Sequence, residues 1–208
     1  MFIEELLKIY GIDRPIFTEE ILELLKEYSR AQVFRDINSA KKNNELVQFD
    51  KGVYYIPSHT FWGEKSTITV DDVIEKKYLK NEDSVYGIYG GLKLLNRFSI
   101  TTQMPAVVEI ITNNETTRCR EITMKERKFI LKKSRFLITK DNYTIYTILQ
   151  LFNDFSNEDI FDENLKQKLF NYIQEKNVSI QQLIDLSNQF PARVSKRLLQ
   201  SGVINAFA

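Results

Sequence analysis

Two side chains that enzymes and metal sites rely on are almost missing from this sequence. Its 208 residues contain one cysteine, Cys119, and one histidine, His59. A single thiol excludes an intramolecular disulfide and a thiolate metal cluster. A single imidazole removes His-rich metal sites and any catalytic set that needs a second histidine, and a lone His outside a motif reads as a loop or packing residue. Glycine is sparse as well, and Gly87, Gly90 and Gly91 fall within or near the start of a segment, Val85 to Phe98, that reads as a helix. With no strand before them they form no dinucleotide fingerprint; their small faces suit close packing. No apolar run approaches the ~20 residues of a membrane helix. Glu4 and Glu5 stand where a signal peptide would carry positive charge, so a cytoplasmic protein without membrane partners is expected. No cofactor and no metal site is expected.

What is present is an ordinary globular composition, 43% hydrophobic and 27% charged, enough for one large domain or two small ones. The net charge of +1 hides an uneven distribution. Residues 1–28 are acidic. Between Arg118 and Arg135 eight cations (Arg118, Arg120, Lys125, Arg127, Lys128, Lys132, Lys133 and Arg135) face only Glu121 and Glu126. That stretch is a candidate nucleic-acid or partner patch, or else the wet side of a half-exposed sheet.

The first 57 residues carry the most legible pattern. A helix over Phe2 to Tyr10 is stopped by Gly11 and the turn Asp13-Arg14-Pro15. A second begins after the cap candidate Thr18, with Glu19 and Glu20 in its first turn and Ile21, Leu22, Leu24, Leu25 and Tyr28 as its buried stripe. Ser29 and Gln32 form a capping pair for a third helix reaching Lys42. Strands Leu46–Phe49 and Val53–Ile56 follow, joined by Asp50-Lys51-Gly52, and Pro57 closes the unit. Helix, helix, capped helix and hairpin make a winged helix-turn-helix pattern, although other small helical folds also end in a hairpin.

On the third helix, Val33, Ile37 and Ala40 share the inward face. Ala31, Arg35, Asn38 and Lys42 lie opposite, flanked by Gln32 and Ser39. Arg and Asn are shaped for bidentate contact to guanine and adenine edges, while Lys suits phosphate. The expected DNA-binding residues are therefore Ser29, Arg30, Gln32, Arg35, Asn38, Ser39, Lys41, Lys42, Lys51 and Tyr54. Arg35 and Asn38 would read bases; Lys41, Lys42 and Lys51 would hold phosphates. The plain alternative is an ordinary solvated helix face.

Residues 58–208 read as a second domain, making the whole α+β. Thr69 and Asp72 cap a helix to about Lys80. Strands Val107–Thr112, Thr117–Ile122 and Lys128–Lys132 suggest an antiparallel β-meander with the basic residues on its open face. The tail is helical: Tyr143 to Asp154, Glu163 to Glu175, Ile180 to Gln189 after the Ser179/Gln182 cap, and Arg193 to Gln200. Residues 155–157 read as a hinge. Leu165, Leu169, Ile173, Leu183, Leu186 and Leu198 are core stripes, and Phe61 and Trp62 dock the linker. The carboxylate pairs Asp71-Asp72 and Glu158-Asp159 belong to helix first turns, where the dipole explains them without catalysis.

Several runs together resemble the AbiEi-like antitoxin family: Lys51-Gly52-Val53-Tyr54-Tyr55-Ile56-Pro57, Phe61-Trp62-Gly63-Glu64, Tyr86-Gly87-x-x-Gly90 through Asn96, Thr101-Thr102-Gln103-Met104-Pro105, and Gln189-Phe190-Pro191-Ala192-Arg193. The likeness spans about residues 15 to 200. It implies an N-terminal winged helix-turn-helix on the operon's own promoter, as double-stranded DNA, with a homodimer on DNA as one arrangement. It also implies a C-terminal domain that counters a neighbouring nucleotidyltransferase toxin, usually without a tight complex. Ser99 departs from the glycine usual in that family; if the position needs φ > 0, serine tolerates it poorly and the turn must differ. Two other readings stand beside this one. The first is a stand-alone regulator whose C-terminal domain dimerises or senses a ligand. The second is an enzyme that neutralises a partner covalently, against which stands the lack of a Gly-rich phosphate loop or a His-Asp set. No enzymatic activity is expected.

Overall fold

In a computed structural model, helix α1 (Phe2–Tyr10) turns Leu6 inward and stops at Gly11, whose φ of 73° a side chain would resist. The structure describes residues 2–59, 63–155, 163–176 and 178–204. The fold is α+β, and the chain divides into two units, Met1–Lys76 and Lys77–Ala208. Among the described residues no helix is long and apolar enough to cross a membrane.

In the first unit, α2 (Thr18–Leu24) and α3 (Arg30–Lys42) join α1 around Leu6, Ile16, Ile21, Leu25, Val33, Ile37 and Ala40. Tyr28, expected in that stripe, is 51% exposed beyond the end of α2. Strands β2 (Val47–Asp50) and β3 (Val53–Tyr55) form the expected hairpin. A third strand, β1 (Ile16–Phe17), pairs antiparallel with β3 and puts it in the middle of the sheet. Thr18 is not the cap of α2. Glu20 reaches back to accept from Phe17 N at 2.7 Å, while the Thr18 hydroxyl donates to Gly52 O at 3.2 Å. The segment after Pro57 folds into the same unit. Asp13 accepts hydrogen bonds from Ser58 and Ser66, and Lys76 Nζ reaches Pro15 O at 2.7 Å and Glu20 at 2.8 Å. Helix α4 (Val70–Ile74) is capped reciprocally by Thr69 and Asp72, and a π-helical turn, Glu75–Leu79, follows it.

The second unit departs from the sequence reading at two places. Val85 to Phe98 is not one helix: Gly87–Gly90 is strand β4, and α5 (Gly91–Arg97) starts only at Gly91, with φ 55°. The cause is tertiary. A Cβ on Gly87 would lie 2.0 Å from Tyr78 O, so β4 runs against the π-helical turn at a distance only glycine permits.

Nor is the sheet a meander. Its order is β4-β5-β7-β6, from β5 (Val108–Thr112), β6 (Cys119–Met124) and β7 (Arg127–Lys133), and β5 pairs with β7 in parallel. One face of strand β7 buries Phe129 and Leu131 completely, so β7 and not β6 takes the inner position beside β5. The polar β6 buries only Met124 and is left at the edge.

Helix α6 (Tyr143–Asp154) is the axis of this unit, buried on every side from Thr144 to Phe152. Around it pack α7 (Glu163–Glu175), α8 (Ile180–Ser187) and α9 (Ala192–Gln200), through Leu165, Leu169, Ile173, Leu183 and Leu198; Leu186 is half-buried. Arg197 binds the carbonyls of Phe152 and Phe155, a cation at the carbonyl end of α6. At that same end the Asp154 carboxylate accepts Gly91 N at 2.8 Å and Gln150 Nε2 at 2.6 Å, which fixes the start of α5. Ser99 does have φ of 60°, so the turn is the one glycine would make, with Ser99 N on Asn96 O at 2.9 Å. Phe155 is buried, whereas residues 156–157, the pair Glu158-Asp159, and Phe61 and Trp62 lie outside the described residues.

Candidate nucleic-acid interface

Helix α3 is set by its two ends. Ser29 is extended (φ −65°, ψ 145°) and its Oγ accepts Gln32 N at 3.2 Å, which settles one of the four orphan amides. Lys41 and Lys42 occupy the last turn, where cations suit the dipole, and Asn44 leaves the helix at φ 63°. Val33, Ile37 and Ala40 anchor the inward side. That burial turns Ala31, Arg35, Asn38, Ser39 and Lys42 out to solvent along one line. Among the described residues the side chains of Arg35, Asn38 and Lys42 have no partner, so three polar heads project from a rigid helix with their hydrogen-bonding capacity unspent.

The remaining sequence-assigned residues are placed less freely. The Arg30 guanidinium lies 5.6 Å from the Phe34 ring centroid, a cation–π contact. Gln32 donates Nε2 to Asp36 Oδ1 at 2.8 Å. Lys41 donates to Gln48 Oε1, and Gln48 in turn donates to Asp50 O at 3.3 Å, so this lysine braces the helix against the hairpin. At the hairpin tip Lys51 is exposed, on a turn closed by Lys51 N to Asp50 Oδ1 at 2.7 Å. Gly52 O accepts Thr18 N at 3.0 Å, which pins that tip to α2. Tyr54 is a correction: it is 6% exposed and belongs to the core beside Leu46 and Ile56, because the central strand β3 is covered on both faces.

One contact beside α3 was not legible in the sequence. Lys65 Nζ donates to Asn44 Oδ1 at 2.7 Å, across 21 residues, and adds a cation beside the end of α3. His59 is exposed and bridges Lys65 through the backbone.

The eight cations from Arg118 to Arg135 do not make one open face. Neighbours on a strand alternate, so Lys128 and Lys132 take one side of β7 while Arg127 and Lys133 take the other. Arg120 is spent on Glu115 at 2.8 Å, Lys128 on Glu121 at 3.3 Å and Lys132 on Glu109 at 2.5 Å. Arg127 and Arg135 lie over the Phe129 and Phe190 rings, at 5.4 and 5.1 Å. Lys125 turns the β6–β7 hairpin at φ 53°, and Arg118 and Lys133 are exposed neighbours, with Lys133 N on Arg118 O at 3.4 Å. Burial pushes the Glu115 carboxyl up, but the Thr117 amide and hydroxyl and the Arg120 guanidinium outweigh it and hold the pKa at about 2. Glu115 and Arg120 therefore form an ion pair that organises the loop before β6.

The chain matches no protein-family model and no curated protein.

Proposed function

We propose that the Met1–Lys76 unit is a winged helix-turn-helix that binds double-stranded DNA, with α3 as recognition helix and the β2–β3 hairpin as wing. The observation that carries this reading is the outward row Arg35, Asn38 and Lys42 on a capped helix, unpartnered among the described residues. A helix of 13 residues is about 20 Å long, and its diameter of about 10–12 Å fits the ~12 Å width of the major groove. Arg35 reaches the O6 and N7 edge of a guanine and Asn38 the N6 and N7 edge of an adenine. Lys42 and Lys51 meet phosphates, Lys51 from a tip whose backbone Thr18 already holds, so that only the side chain remains to be ordered.

We infer further that the protein represses its own promoter and serves as the antitoxin to a nucleotidyltransferase toxin. This part rests on the resemblance of the runs through Pro57 and Pro105 to AbiEi-like antitoxins. Binding of the full chain to duplex from upstream of its own reading frame, followed by fluorescence anisotropy against a scrambled duplex, tests the first part. Preference for the upstream duplex, with a log–log salt slope of about −0.9 per phosphate contacted, is the expected result. Equal binding to both duplexes refutes the promoter assignment. A nucleotidyltransferase-like reading frame beside this one, and growth rescue when the two are co-expressed, test the second part; absence of that frame, or no rescue, refutes it.

A further inference from the structure

Gln32 adds a directional device to the DNA-reading surface proposed above, and this inference rests on that reading. A carboxamide carries an acceptor at one end and donors at the other, so a free glutamine turns over to suit whichever base it meets. Gln32 is not free. Its Nε2 donates to Asp36 Oδ1 at 2.8 Å. An ionised carboxylate accepts and does not donate, so the nitrogen end must face Asp36 and Oε1 is turned away from it. The four-residue spacing keeps both groups on one flank of α3, in the first turns, which are the part of a recognition helix that meets base edges. Both side chains are partly exposed, while Val33 and Ile37, beside them on the inward face, are buried. Among the described residues no cation pairs with Asp36. An uncompensated negative charge beside phosphates weakens binding to any duplex, so affinity does not explain it. Orienting a neighbour does.

We propose that Asp36 is a positioning residue that locks Gln32 with its carbonyl oxygen toward the bases. Gln32 then selects a base presenting an exocyclic amino group in the major groove, adenine N6 or cytosine N4, over the carbonyls of guanine O6 and thymine O4. Asp36 acts only through Gln32, and Gln32 complements Arg35, whose guanidinium reads acceptors.

The test is selection of randomised duplexes by the full chain, comparing the parent with Gln32→Met, Asp36→Ala and Asp36→Asn. In the parent one base pair should show a preference of about tenfold or more for an amino-bearing base, the scale of a well-placed side-chain contact. Gln32→Met and Asp36→Ala should both reduce it below about threefold at that same pair. Asp36→Asn, which keeps the shape, should relax it too, because an asparagine also donates and lets Gln32 turn over. Binding of both Asp36 variants to random DNA should rise as the negative charge leaves. A pair that only braces the helix would shift the thermal midpoint and leave the selected sequence unchanged in all three variants; that result overturns the inference, as does a lost preference for guanine or thymine. A parent that enriches no sequence refutes the DNA-reading proposal itself and takes this inference with it.

Discussion

Replacing Asp13 probes how the hairpin is held in place. Asp13 sits at φ 55° in the turn after α1. Its N–H donates to Ile56 O at 2.8 Å; Oδ1 accepts Ser58 N at 3.0 Å and the Ser66 hydroxyl, and Oδ2 accepts the Ser58 hydroxyl at 2.5 Å. One carboxylate thus ties the exit of β3 and the segment beyond it to α1. Bonds to a charged group contribute about 1.5–3 kcal/mol each, but at a half-exposed site about 1 kcal/mol apiece is the safer figure. Asp13→Ala therefore loses about 3 kcal/mol in hydrogen bonds and about 1 more for holding alanine in the left-handed region. Asp13→Gly avoids the second cost and should lose about 3 kcal/mol. Asp13→Asn tolerates that backbone and keeps an acceptor, so about 1–2 kcal/mol is expected. Urea unfolding followed by fluorescence measures the series, because the only tryptophan, Trp62, lies between Ser58 and Ser66 in the sequence. The Ser58 and Ser66 hydroxyls hold the Asp13 carboxyl below its ordinary value against a smaller opposing effect of burial. The folded state then binds the proton less readily than the unfolded one, so this stability is present above pH 3.8 and is lost as pH falls through the folded value. Equal stability for the alanine and asparagine variants, or no loss in either, would refute the reasoning.

Glu115→Gln should lower the thermal midpoint at pH 7, and the gap to the parent should close as pH falls from 4.5 to about 2, where the native carboxylate takes up its proton. A gap that persists at the acid end contradicts the ion-pair assignment. Asp154 runs the other way. Burial, aided by Glu109, raises its pKa against the Gly91 amide, Gln150 and Lys132, so its contribution is present below pH 3.8 and lost as pH rises through the folded value. Asp154→Asn should be at least as stable as the parent at pH 7 and should flatten the stability–pH curve above pH 3.8; a clear loss at pH 7 would refute this. Gly87→Ala, whose Cβ would meet Tyr78 O at 2.0 Å, should cost about 3 kcal/mol or more by chemical denaturation. Gly90→Ala meets only the movable end of Ile111 at 2.8 Å and should cost about 1 kcal/mol. Similar losses for the two would undermine the close-approach account of β4.

Local rules made much of the fold legible. The caps at Ser29, Thr69 and Ser179 are made as the spacing suggested, and α6 and α7 span the residues their apolar periodicity marks. What failed was set by partners distant in sequence. Strand β4 exists because Gly87 meets Tyr78 O, a contact no window of residues contains. The parallel β5–β7 pairing reflects which strand is apolar enough to sit inside, a competition among strands and not a property of one turn. Tyr54 lies in a central strand covered on both faces, so alternation left it no outward side. On α3 the inward and outward faces were readable from period alone. The hold of Asp36 on Gln32 is local and was open to an i,i+4 reading, whereas that of Gln48 on Lys41 needed the hairpin in place.

The most direct measurement of the central claim is the affinity of the parent and Arg35→Ala for the selected duplex and a scrambled one, both at about 0.1 M salt. The account expects Arg35→Ala to lose roughly ten- to a hundredfold on the selected duplex, the scale of one guanine contact, and to bind the scrambled duplex nearly as the parent does. Identical behaviour of the two proteins on both duplexes would contradict it.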